Sequence, residues 1–347
     1  YRIATLFAPG KAWRPWAPQK QWNHKLLITH GASCGGDFGA YSSPSVTSFN
    51  PADYLGLPFT FPHGVIGDSA QYALGAGFAV MSTDLDNNGD DCNVVVQAES
   101  LVMAKQHLID AYGPLRYTVG TGCSGGSLAQ QWIANAYPGI YQGILPTCSF
   151  PDTWSTATQV FDYHLLNAYF GDSSEWGAAV AWSPTQMAAV EGNALPVDSI
   201  VSDQGFFSAA EPTGDCWPLK NSPATAKLIY NAQTNPGGVR CGIADYALNV
   251  FGRRSPTVWT PQERRIGHGF AGLAIDNVGV QYGLSALQSG QITPAQFVDL
   301  NAKIGGLDID TNPTAKRLSA DEPALAYAYR SGMINETNNL NQTAIID

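Results

Sequence analysis

The segment LRYTVGTGCSGGSLAQQWIANAYPG, residues 115–139, decides the fold. RYTVGTG is rich in β-branched and aromatic residues and reads as a strand. SLAQQWIANAY places apolar residues at helical spacing and stops at Pro138-Gly139, so a helix is expected there. Between them lies Gly122-Cys123-Ser124-Gly125-Gly126, a match to G-x-S-x-G. A strand that turns sharply into a helix at such a pentapeptide presents the serine hydroxyl at the helix N-terminus. The small flanking residues allow the strand and helix to approach closely. Ser124 is therefore the candidate nucleophile.

Working outward, the same alternation repeats. KLLITHG (25–31) reads as a strand entering a Gly-rich loop, and FAVMSTDL (78–85) as a second strand. VVVQAESLVMAKQHLIDAYG (94–113) has helical periodicity and ends at Gly113-Pro114, and IYQGILPTCSF (140–150) contains a further strand. Strand–helix alternation with short links predicts βαβ units and a mostly parallel sheet, so the expected fold class is α/β. After Asp152 the rhythm becomes mainly helical up to about Pro261. The expected organisation is a core half at 1–151, a helical cap at 152–261 and a return to the core at 262–347.

A second G-x-S-x-G, Gly31-Ala32-Ser33-Cys34-Gly35, follows a strand but leads into a loop, not a helix. Its place upstream of Ser124, with His30-Gly31 at the strand end, is where an α/β-hydrolase carries the loop that supplies an oxyanion N–H. Gly31 and Ala32 are the expected donors on that loop. Gly125, the residue after the nucleophile, is the expected second donor.

On these residues the chain resembles the α/β-hydrolase superfamily, with residues 25–150 matching its N-terminal half. The Cys-Ser pair in GTGCSGG is similar to tannases and fungal feruloyl esterases, and the whole chain resembles a group of bacterial secreted proteins of unknown function. The resemblance implies a serine esterase with a flanking-helix core and a helical cap. Tannase-like enzymes link the cysteine beside the serine to one immediately before the catalytic histidine, but this sequence contains no Cys-His pair. The expected disulfides are Cys34–Cys92, Cys123–Cys148 and Cys216–Cys241, the middle pair because adjacent parallel strand ends bring it within reach.

The fold's order of serine, acid and histidine leaves His164 and His268 after Ser124. His268, in the Gly-flanked loop RRIGHGF, is the expected general base, while His164 reads as a half-buried helical residue. Asp152, just after the fourth strand, is the expected acid, with Asp203, Asp215, Asp245 and Asp276 as alternatives. If TAIID at 343–347 is instead the acid-bearing strand, Asp347 is the acid and the histidine lies beyond this chain.

The composition narrows the function classes. The chain has 347 residues, 44% hydrophobic and only 13% charged, enough for a large core and unlike a disordered chain. A net charge of −10 argues against nucleic-acid partners, and no apolar run reaches membrane-spanning length, so no membrane partner is expected. Six cysteines and a charge-poor surface fit an extracellular protein. With Tyr1 at its start, the chain reads as a piece of a longer secreted precursor. Asp84-Leu85-Asp86-Asn87-Asn88-Gly89 matches half of a calcium loop, but Val95 stands where the bidentate glutamate belongs, so a polar turn is expected. No cofactor and no metal are expected. The expected function is a secreted carboxylic-ester hydrolase acting on a small or polymeric ester. An amidase or peptidase, and a non-catalytic binding protein on the same scaffold, are the alternatives.

Overall fold

The computed structural model describes residues 1–31, 43–47, 69–86, 91–178 and 180–347. The chain divides into two compact units. The first comprises Tyr1–Thr153, Cys216–Pro223 and Ala326–Asp347. The second comprises Trp154–Asp215 and Ala224–Leu325.

In the first unit, β1 (Arg2–Ala4), β2 (Lys25–Thr29), β3 (Ala79–Ser82), β4 (Tyr117–Cys123) and β5 (Gly143–Thr147) join a short strand, Ala344–Ile345. They form one six-stranded sheet in the order β1-β3-β2-β4-β5-(344–345). β1 is antiparallel to β3, and every other pairing is parallel. This is the α/β architecture expected from the alternating pattern. β2 and β3 are almost wholly buried, which explains their continuous apolar reading, since a strand covered on both faces does not alternate.

The helices between the strands are α1 (Ser69–Gly75), α2 (Val94–Tyr112) and α3 (Gly125–Ala136). Asn93 caps α2 by accepting from the amides of Val95 and Val96, and Gly113 ends it with φ +119°. Leu101 and Leu108 of α2, Trp132 and Ile133 of α3, and Leu26 and Ile28 of β2 are fully buried core residues. Of the N-terminal tryptophans, Trp13 and Trp22 pack with each other and with Tyr112 and His24 at the core edge, while Trp16 is exposed. The parallel pairing sets the C-terminal ends of β2, β4, β5 and the 344–345 strand on one edge of the sheet. That edge is where an open α/β sheet carries its ligand site.

The second unit opens with most of α4 (Thr153–Gly171), followed by α5 (Pro184–Glu191), which starts in a Ser183/Gln186 capping box. α6 (Val197–Phe206) comes next. The second unit is not wholly helical: Gly306–Leu307 pairs antiparallel with Pro313–Thr314. The buried Arg240 guanidinium lies over the rings of Tyr230 and Phe270 and pairs with Asp245 and Asp310, so its charge is compensated out of water. Asn277 is buried and binds the Leu318 amide, the Gly305 carbonyl and Tyr282 Oη. Among the described residues no helix is long and apolar enough to cross a membrane.

Candidate active site

Ser124 sits between β4 and α3, with φ +56° and ψ −115°. An L-residue in this region carries roughly 1–3 kcal/mol of backbone strain. Several interactions hold it there. The Ser124 amide extends the ladder by donating to the Thr147 carbonyl at 3.0 Å. Cys123 on one side is disulfide-bonded to Cys148, as the adjacent strand ends predict. The Ser124 hydroxyl makes no capping bond to α3, so it is not spent on the helix terminus. Gly125 is the first residue of that helix, where backbone N–H groups and the helix dipole favour developing negative charge.

Two close approaches build the turn. A Cβ added at Gly126 would lie 2.2 Å from the Gly31 carbonyl oxygen and 3.2 Å from His30 Cβ. A Cβ added at Gly122 would lie 3.0 Å from both Gly126 Cα and His30 Cβ. The end of β2 therefore packs directly on the first turn of α3, and the His30 amide donates to the Thr121 carbonyl at 2.9 Å. Gly31 and Ser124 thus flank the same helix turn. Ala32, the other expected oxyanion donor, lies outside the described residues, as does Cys34.

Beneath the turn is a buried polar layer that the pattern reading missed. Gln130, with no exposed surface, donates from Nε2 to the carbonyls of Gly122 at 3.2 Å and Gly126 at 2.9 Å, and accepts from the Leu145 amide at 3.1 Å. One side chain therefore ties β4, α3 and β5 together. His30 Nδ1 lies 3.1 Å from Asp86 Oδ1, and Tyr141 Oη lies 2.9 Å from His30 Nε2; all three are buried. Burial pushes the Asp86 carboxyl above its usual range against the opposing pull of His30, and burial together with the Asp86 charge raises the Tyr141 phenol well above its own. The detectable signal was a glutamine four residues after Gly126 on an otherwise apolar helix. Nothing local links Asp86 to His30. Asp86 belongs to the calcium-like stretch, and residues 87–90 of that stretch lie outside the described residues. Among the described residues no cluster of His, Cys, Asp or Glu has metal-site spacing.

Asp152 and His268 each have partners within their own unit. Asp152 is fully buried and accepts from the Asn335 amide at 2.9 Å, and Asn335 Nδ2 donates to the Pro151 carbonyl. His268 belongs to the second unit, where its Nδ1 faces the Arg253 guanidinium at 3.1 Å and the Gly269 carbonyl at 3.2 Å. His164, read as an ordinary helical histidine, holds Asp203 at 2.9 Å on Nδ1 and stacks on the Phe207 ring at 3.5 Å. Asp203 and Asp245 are both engaged within the second unit, with His164 and Arg240. Asp347 follows the 344–345 strand, which is parallel to β5.

Solved structures similar to this chain include two from Aspergillus oryzae. Feruloyl esterase B from Aspergillus oryzae shares 16% identity, with 94% of this chain and 60% of that one covered and a TM-score of 0.33. An esterase from Aspergillus oryzae shares 14% identity, with 94% and 59% covered and a TM-score of 0.33. The chain thus spans about three-fifths of the length of either protein. No curated protein matches the sequence. A family model matches residues 1–347 from end to end, and the chain belongs to that tannase-like family of unknown function (DUF6351).

Proposed function

We propose that the protein is a secreted serine hydrolase that cleaves carboxylic esters through an acyl-enzyme on Ser124. One observation carries this reading: Ser124 stands in a strained strand-to-helix turn whose glycines admit the backbone of Gly31 against the first turn of α3. In the proposed reaction Ser124 Oγ attacks the ester carbonyl while a histidine accepts its proton. The amides of Gly125 and of the loop at Gly31 and Ala32 hold the oxyanion, and the alcohol leaves as the histidine returns the proton. Water then attacks the acyl-enzyme by the same route, releasing the carboxylic acid. Secretion is supported by the disulfide-bonded cysteines, since such bonds persist in oxidising compartments.

Chain order makes His268 the proposed base and Asp152 the proposed acid. Asp347, at the end of a strand on the same sheet edge as Ser124, competes for the acid role. His164, whose Nδ1 already carries a carboxylate, is the competing base. Fluorophosphonate labelling with peptide mass spectrometry tests the reading, because the probe reacts with a serine activated by a base. A single adduct on Ser124, absent in Ser124→Ala, is expected. Labelling lost in His268→Ala and Asp152→Ala but kept in His164→Ala and Asp347→Ala supports the assigned partners. A folded protein that takes no probe refutes the hydrolase reading in favour of a binding protein on this scaffold. Parallel assays with matched ester and anilide substrates separate esterase from amidase.

A further inference from the structure

His30 is the last residue before the loop of the proposed oxyanion site, and both of its ring nitrogens are engaged although nothing in the proposed chemistry uses the ring. Nδ1 faces Asp86 at 3.1 Å, Nε2 faces Tyr141 Oη at 2.9 Å, and the ring of Tyr141 crosses that of His30 edge to face at 5.9 Å. The three side chains come from separate places: the end of β2, the segment after β3, and the start of the segment leading to β5. Space for them is made by Gly120, where a Cβ would lie 3.2 Å from Tyr141 Cε1.

The His30 ring is held from two sides, by Tyr141 Oη at Nε2 and by Asp86 at Nδ1, where the side-chain Oδ1 lies at 3.1 Å and the main-chain carbonyl at 3.5 Å. Its backbone is also fixed, by the amide bond to Thr121 and by the contact of the His30 and Gly31 carbonyls with Gly126. Rotation of the ring would break both side-chain contacts and leave buried polar atoms unpaired, at roughly 1–3 kcal/mol each.

We propose that the Asp86–His30–Tyr141 chain is a positioning device, in which His30 holds the 30–31 peptide against α3 so that the Gly31 amide is aimed at the oxyanion formed on Ser124. This rests on the functional reading above. The role requires the His30 ring to be oriented by its contacts with Asp86 and Tyr141.

The test uses purified wild-type protein and the variants Tyr141→Phe, His30→Ala, Asp86→Asn and Asp86→Ala, each first checked by circular dichroism at the assay temperature. Steady-state hydrolysis of a p-nitrophenyl ester and the rate of fluorophosphonate labelling are the readouts. Tyr141→Phe is expected to lower kcat about tenfold and His30→Ala about a hundredfold, with KM unchanged, because an oxyanion donor acts only in the transition state. Asp86→Asn, which keeps a polar side chain of the same size beside Nδ1, is expected to retain more activity than Asp86→Ala, which leaves only the main-chain carbonyl there. Folded Tyr141→Phe and His30→Ala proteins with unchanged kcat overturn the inference. So does a folded Asp86→Ala variant as active as wild type. If wild-type Ser124 takes no probe, the functional reading falls and this inference with it; normal labelling with unaffected variants overturns the inference alone.

Discussion

Replacing Gly126 by alanine probes the contact on which the site geometry depends. In an ordinary helix the change is favourable by up to about 1 kcal/mol, because alanine restricts the unfolded chain and has the higher helix propensity. Here the new methyl would stand 2.2 Å from the Gly31 carbonyl oxygen, with His30 Cβ at 3.2 Å and the His30 carbonyl oxygen at 3.3 Å. Carbon–oxygen contacts normally open to about 3.3 Å, so the end of β2 and the first turn of α3 must separate by roughly 1 Å. The obstacle is backbone, with no flexible side-chain end to swing away, so overpacking of about 1–3 kcal/mol is expected to outweigh the propensity gain. A displacement of that size between Gly31 and Ser124 is also expected to lower kcat about a hundredfold. Urea melts give the stability change, and hydrolysis of a p-nitrophenyl ester gives the activity. Gly75→Ala in α1 is the control, because no atom lies within 4 Å of its new methyl and neither quantity should fall. A Gly126→Ala protein as stable and active as wild type would refute the packing of β2 on α3 and the oxyanion assignment built on it.

Exchanging both Cys123 and Cys148 for serine opens a loop of sequence separation 25 and is expected to cost about 3 kcal/mol by loop entropy, measured by urea melts under non-reducing conditions. Gln130→Leu removes the side-chain bonds to the Gly122 and Gly126 carbonyls and to the Leu145 amide, so a loss of about 1–3 kcal/mol is expected; calorimetry checks it. Lys105, bonded to the Ile140 carbonyl, has its ammonium pulled down to about 8 by burial. Because the unfolded chain then binds more protons between about pH 8 and 10.5, wild type should gain stability over Lys105→Met as pH rises through that window, by up to about 3 kcal/mol, and denaturant melts at pH 7.5 and 10.5 measure the gain. Asn335 is buried with its side-chain amide bound to Pro151, whereas Asn341 is exposed, so in a glycosylating host glycan is expected on Asn341 alone, as read by peptide mass spectrometry.

The sequence alone determined the elements whose identity is local. Alternating strand and helix patterns specified the parallel α/β sheet, because a helix can return the chain only to a parallel neighbour. Glycines around Ser124 specified the strand-to-helix turn, because no other residue tolerates such close approach. Even the Cys123–Cys148 bond was legible, since it joins the ends of neighbouring parallel strands. What the tertiary structure decided were pairings between distant segments, which carry no periodicity. The Asp152 carboxylate accepts from the amide of Asn335, 183 residues away. His164 reads as a half-buried helical residue and carries Asp203 on its ring, while the ring of His268 faces Arg253. The Asp86–His30–Tyr141 chain spans separations of 56 and 111 residues. A buried hydrogen bond demands complementary partners but not nearby ones, so folding alone selects which donor meets which acceptor.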